Sequence, residues 1–147
     1  MKGPHRAPTP KIAGRRSLSF RFDGRVLQAR EGDTVASALL ASGIRLVGRS
    51  FKYHRPRGIV TCGPEEPCAL IDVVTPQGRE PNRPSTMVPV EEGLVVESQN
   101  RWPSLRFDAL SLFGRFSAVL PAGFYYKTFM APGPAWERLY EPLIRRA

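Results

Sequence analysis

Two cysteines and two histidines are the only thiol and imidazole ligands in this chain. Small secreted scaffolds stapled by disulfides carry more cysteine, so reduced thiols in a cytoplasmic setting are the expectation. No apolar run approaches the roughly 18 residues that a membrane helix needs, and no apolar signal segment follows the charged start, so neither a span nor an export signal is expected. No G-x-G-x-x-G follows a strand, so NAD or FAD has no visible seat of that kind. Acids are short as well: 13 Asp and Glu stand against 22 Lys and Arg, a net charge of +9. That balance admits an acidic partner, a nucleic acid, a membrane surface or an anionic cofactor and selects none of them. No internal repeat is visible.

What is present suffices for one core, with 41% hydrophobic residues, while 15 prolines and 13 glycines imply long irregular connections, especially after Thr75. Residues 1–16 hold Lys2, Arg6, Lys11, Arg15 and Arg16 among Pro4, Pro8 and Pro10 without an acid, and read as a flexible basic arm. Ser17 to Phe22 and Arg25 to Arg30 alternate in polarity around Asp23-Gly24, the signature of a tight β-hairpin. Asp33 is placed to cap a helix whose apolar positions are Val35, Leu39 and Leu40, and Gly43 to end it. The short apolar stretch Ile44 to Val47 follows. After a polar, basic segment, Ala69 to Thr75 reads as a buried strand. Gln77 to Thr86 reads as a Pro- and Arg-rich loop, and Met87 to Val90 and Leu94 to Glu97 as further strand. Hairpin, helix, long loop and returning strand are the order of a β-grasp, an α+β arrangement shared by plant-type ferredoxins and ubiquitin-like domains, and the order alone assigns no function.

A different region begins at Arg101. Leu105 to Leu120 and Pro134 to Arg146 have apolar residues at helical spacing, and ten aromatic residues lie between Trp102 and Tyr140. Residues 101–147 therefore read as a helical, aromatic-rich extension. Its rings pack on the β-grasp body or form a docking surface, since aromatic and Arg residues concentrate at interface centres.

Residues 48–58, GRSFKYHRPRG, contain no acid and are too punctuated by glycine and proline for a helix. Arg49, Phe51, Lys52, Tyr53, His54, Arg55 and Arg57 form a loop suited to phosphate, carboxylate or a partner surface, or simply a solvated basic loop. Interleaved aromatics also fit a single nucleic-acid strand, but no recognisable reading module accompanies them.

The runs GRSFKYHRPRGIVTCGPEEPCAL (48–70), SQNRWPSLRFD (98–108), PAGFYYKTFM (121–130) and WERLYEPLIRRA (136–147) resemble the amino-terminal region of the α subunit of the heterotetrameric sarcosine oxidase family. Related strings begin the α-like subunits of opine oxidases, and a shorter version resembles the small subunit of hydrogen cyanide synthase. The resemblance covers the chain from about residue 17 to its last residue and implies a 2Fe-2S ferredoxin-like β-grasp domain over 17–100. It further implies flavoprotein partner subunits that carry FAD, FMN and NAD and oxidise a secondary amine. The family's α chain is much longer, so the remainder is either a separate polypeptide or missing from a truncated piece.

Plant-type ferredoxins bind their cluster through C-x4-C-x2-C and a distant fourth cysteine, two thiolates per iron. Cys62 and Cys68 are the candidate metal ligands here. Their spacing is C-x5-C, Ile71 stands three residues after Cys68, and no further cysteine exists. Two thiolates do not complete such a centre within one chain, and only His5 and His54 are available as imidazoles. The pair is read as free thiols, with a disulfide or a shared metal site as alternatives. Glu65 and Glu66 are adjacent and point differently in an extended loop, which argues against a paired acid and base. Asp72 in an apolar strand needs a partner. No catalytic constellation is found. The expected role is an accessory or structural, cluster-free subunit of a sarcosine oxidase-like flavoenzyme, not catalytic alone. The alternatives are a 2Fe-2S electron-transfer subunit of an opine or amino-acid dehydrogenase, and a basic nucleic-acid-binding module.

Overall fold

The computed structural model describes residues 14–112. Strands β1 (Ser17–Phe22) and β2 (Arg25–Arg30) form the expected hairpin, in register from Ser17 opposite Arg30 to Phe22 opposite Arg25. Its turn places Asp23 at φ 48° and Gly24 at φ 77°, the left-handed pair that a tight hairpin turn requires and that Asp-Gly supplies at low cost. Helix α1 (Val35–Ala41) follows, then the short strands β3 (Gly48–Arg49) and β4 (Pro56–Arg57), β5 (Leu70–Thr75), β6 (Gly78–Pro84) and β7 (Val95–Ser98). Five strands make a mixed sheet in the order β2-β1-β7-β5-β6, with β1 and β7 parallel and the remaining neighbours antiparallel. β3 and β4 form a separate two-stranded sheet. The hairpin, the helix, the long loop and β5 follow in the order read from the sequence, and it is β7, not β5, that lies parallel beside β1.

Alternation decides the core. Leu18, Phe20 and Phe22 all point inward from β1 and meet Val35, Ala38 and Leu39 of α1, Ile71 and Val73 of β5 and Val96 of β7. Leu40, expected on the same helix face, is exposed. The helix starts one residue later than its expected cap. Thr34 Oγ1 accepts from Ser37 N–H at 3.3 Å, and Ser37 Oγ accepts from Thr34 N–H at 3.1 Å, a reciprocal capping box. Asp33 supports the box from behind, accepting from Ser37 Oγ at 2.9 Å and from Arg30 N–H at 2.7 Å.

Two segments differ from the sequence reading. Residues 78–84, expected as loop, are strand β6 despite Pro81 and Pro84. The strand lies at the sheet edge, where a missing N–H interrupts no second ladder, and its pairing with β5 breaks register between Ile71 and Val73, where Asn82 sits at φ 60°. Residues 87–90, expected as strand, make one isolated bridge between Thr34 and Pro89. Val90 N–H donates to Asp33 O at 2.8 Å and Val35 N–H to Val88 O at 2.9 Å, so the segment clamps the helix start while burying Val88 and Val90. The helix expected from Leu105 does not begin there. Pro103 bridges Asp108, and a 3-10 turn starts only at Ala109. The expected helix over 134–146, the remainder of the extension and residues 1–13 of the arm lie outside the described residues. No described helix is long and apolar enough to cross a membrane.

Candidate functional site

The segment between β4 and β5 carries both thiols. Cys62 is exposed and Cys68 half-buried, and both are free. β5 fixes the end of the loop: Ala69 and Ile71 are wholly buried, which holds Cys68 at the sheet margin. Gly58 sets the beginning, because a Cβ there would stand 2.6 Å from Arg45 O, and only glycine lets the two backbones approach. From β4, the Arg57 guanidinium donates to Cys68 Sγ at 3.1 Å. Thr86 Oγ1 donates to Gly63 O at 2.8 Å and ties the loop to the chain after β6.

Glu66 fills the inside of this loop. Its side chain is nearly sealed, the residue retaining 3% of its exposure. Oε2 accepts from Val60 N–H at 2.9 Å and Thr61 N–H at 2.7 Å, and Oε1 from Cys68 N–H at 2.8 Å and Ala69 N–H at 3.0 Å. Burial pushes its carboxyl group up, but the backbone amides of Thr61, Cys68, Val60 and Ala69 together outweigh that, and the pKa falls to about 2. Glu65, its neighbour, faces solvent, so the adjacent acids do point apart.

The donor set can be tested against the cluster implied by the ferredoxin-like resemblance. Four ligands are needed to complete two iron tetrahedra, and the chain offers two thiols, one of them held by Arg57. Four of the loop amides, those of Val60, Thr61, Cys68 and Ala69, are already engaged by Glu66. Among the described residues no three His, Cys, Asp or Glu side chains gather to hold a metal. The residues present do not fit a 2Fe-2S centre held by this chain alone.

The basic loop divides into an inner and an outer part. Arg49 turns inward from β3, donating to Leu105 O through Nε at 3.0 Å and Nη2 at 2.9 Å, and to His54 O through Nη1 at 2.8 Å. The same guanidinium lies 3.3 Å from the Asp108 carboxylate, which His54 Nδ1 meets at 2.8 Å. Asp108 also accepts from Trp102 N–H at 3.1 Å and Leu110 N–H at 3.2 Å. Arg49 and His54 are therefore joined in an internal knot. Arg57 belongs to the cysteine loop. Lys52 Nζ stands 4.8 Å and the Arg55 guanidinium 4.9 Å from the centre of the Tyr53 ring, so these three make a cationic and aromatic cluster at the tip, beside the exposed Phe51.

Sequence reading missed Asp108 and the part played by Glu66. Asp108 was visible only as a member of a matched run, and nothing local marks a carboxylate whose partners are backbone amides. Asp72 found the partners it needed, Arg79 Nη1 at 3.0 Å and the Gln99 amide. Elsewhere, Phe22, Ile44, Leu105, Arg25, Arg45 and Arg106 line an open cleft of about 430 Å³.

A family described as a 2Fe-2S iron-sulfur cluster binding domain matches residues 15–101. The sarcosine oxidase subunit alpha of Rhizobium meliloti (strain 1021) is 64% identical over 130 residues, 88% of this chain and 13% of that protein. The subunit of the same name from Corynebacterium sp. (strain U-96) is 43% identical over 102 residues, 64% of this chain and 11% of that one. This chain thus spans about an eighth of the length of these relatives. Among solved structures, the crystal structure of L-proline dehydrogenase from P. horikoshii aligns with 60% of this chain and 16% of its own at 26% identity, with a TM-score of 0.49.

Proposed function

The chain belongs to the 2Fe-2S iron-sulfur cluster binding domain family, and we propose that it works within a sarcosine oxidase-like oxidoreductase as an accessory, structural part that, unlike what that description implies, carries no cluster of its own. The observation that carries the assignment is 64% identity to a sarcosine oxidase subunit alpha across 88% of the chain. The absence of a cluster is supported by two thiols where four ligands are needed, and by a carboxylate lodged among the loop amides. In this reading the β-grasp body at 17–100 is a scaffold. Residues 101–147 dock flavoprotein subunits that hold FAD, FMN and NAD and oxidise a secondary amine in the cytoplasm. The exposed Trp102, Phe107 and Leu112 at the start of that extension support docking, as do Arg25, Arg45 and Arg106 around an apolar cleft. The basic loop, with Phe51, Lys52, Tyr53 and Arg55 at its tip, is a second contact region for those subunits or for an anion.

Co-expression with the flavoprotein subunits of such an enzyme tests the proposal. A stable complex that oxidises a secondary amine, beside an inert isolated chain, supports it. A chain that stays monomeric in their presence sinks it. The family description and the position of Cys62 and Cys68 favour a second reading, an electron-transfer subunit of an opine or amino-acid dehydrogenase. Iron and acid-labile sulfide analysis of anaerobically purified complex, followed by redox titration, separates the two. A reversible metal-centred transition assigned to this chain selects the carrier.

A further inference from the structure

The bonding of Glu66 has a direction that an ordinary surface acid lacks. Four backbone N–H groups, from Val60 and Thr61 on one side and Cys68 and Ala69 on the other, converge on its two oxygens at 2.7–3.0 Å. The Thr61 hydroxyl adds a longer bond at 3.3 Å. No Lys or Arg forms an ion pair with Glu66 among the described residues, so oriented amides, helped by the Thr61 hydroxyl, offset the charge. Converging amides of this kind form a concavity that binds anions whatever their source, because each N–H contributes a fixed partial positive charge. The amides come from two stretches, which the bond from Arg57 to Cys68 Sγ also draws together, but only the Glu66 carboxylate occupies the point on which they converge. Without an anion between them, four donors, one buried and three part-buried, would lose this partner together.

We propose that residues 60–69 form an anion-binding site which the chain occupies with its own Glu66 carboxylate, and which accepts a small free carboxylate once that side chain is cut back. The ligand class follows from the geometry: a planar group with two oxygens, each taking two amides. Acetate is the matching probe, since Glu66→Ala removes Cγ and the carboxyl group, and acetate carries those same atoms. The inference rests on the reading of this loop as cluster-free, and it deepens that reading by naming what holds the loop instead.

Thermal melting of the full chain tests it. Glu66→Ala is expected to lower the midpoint by about 5–15 °C, and acetate to restore at least half of the loss while chloride at equal ionic strength does not. Wild-type protein should gain nothing specific from acetate, because the seat is taken. Glu66→Gln keeps the volume but turns an amide donor toward backbone donors. It should melt low and stay low in acetate. If Glu66→Ala fails to fold, the yield of refolding in acetate against chloride gives the same comparison. A variant that melts like wild type, or that responds equally to acetate and chloride, overturns the proposal. Iron and sulfide assays on the same preparations keep the two readings apart. Two irons per wild-type chain would overturn the cluster-free reading, whereas a missing acetate response without iron overturns only the role given to Glu66.

Discussion

The Arg49 guanidinium lies 3.3 Å from the Asp108 carboxylate, with the two side chains 9% and 0% exposed. Arg49 comes from the short sheet that opens the basic loop, and Asp108 from the segment where the aromatic extension begins. His54, at the far side of the loop and at φ 51°, joins the same carboxylate. The knot fixes the loop and the first part of the extension to each other, so two regions proposed to meet partner subunits share one internal anchor.

Loss of either end of this pair leaves a buried charge without its counterpart. Asp108→Ala and Arg49→Ala should each destabilise the folded chain by about 3 kcal/mol, read from urea denaturation midpoints. The double variant should lose clearly less than the sum, because one broken interaction is then counted once. Additive losses would mean that the two side chains act independently, through their carbonyl and amide partners alone.

Acid should weaken the protein through Glu66 in a defined window. Its folded pKa of about 2 lies below the ordinary value of 4.5, so it contributes stability that is fully present above about pH 4.5 and is lost as pH falls toward 2. The contribution is up to about 3 kcal/mol, less where water reaches the loop. The difference in stability between wild type and Glu66→Gln should therefore shrink below pH 4.5. Glu92, whose carboxyl group is held below its ordinary range by side-chain and backbone bonds to Ser19, is present in both proteins and cancels. A difference that stays constant from pH 6 to 3 would sink the assignment of this window to Glu66.

The hairpin was legible to the residue, because polarity alternation and Asp-Gly are local signals that tertiary packing here reinforces. The helix was legible as an element, but its cap was not: Asp33 and Thr34 are both good caps, and only the position of Ser37 hydroxyl decides for Thr34. β6 was missed because Pro81 and Pro84 argue against strand anywhere except at an edge, and sheet order is not written in the local sequence. At the site, the thiols could be named because the chain has only these two cysteines and both precede the returning strand, although their spacing departs from the ferredoxin pattern. Glu66 could not, since its partners are mainly main-chain amides that every residue but proline possesses, and Asp108 could not, since its side-chain partners Arg49 and His54 lie in a distant loop.

The two thiols should differ in reactivity. Cys62 is exposed, whereas Cys68 is half-buried with its sulfur against Arg57. Brief alkylation of native protein, followed by peptide mass spectrometry, should label Cys62 first. Under the cluster-free proposal, Cys62→Ser with Cys68→Ser should leave secondary structure and assembly with partner subunits unchanged. A visible absorbance band lost in that double variant would show that the sulfurs hold a chromophore.

The extension offers the sharpest test of docking, because its described aromatic side chains are exposed while only the backbones of these residues bond to the rest of the segment. Trp102 is 61% and Phe107 73% exposed, and surface positions away from special features change stability by within about 0.5 kcal/mol when substituted. Trp102→Ser and Phe107→Ser should accordingly melt close to wild type as isolated chains. An aromatic anchor at the centre of an interface is worth about 2 kcal/mol or more when truncated, which corresponds to roughly 30-fold weaker binding. Affinity for the flavoprotein subunits, measured with purified components, should fall by that order for at least one of the two variants. Equal affinity in both would remove this segment from the interface, and the basic cleft of Arg25, Arg45 and Arg106 would then be the next surface to examine by charge reversal.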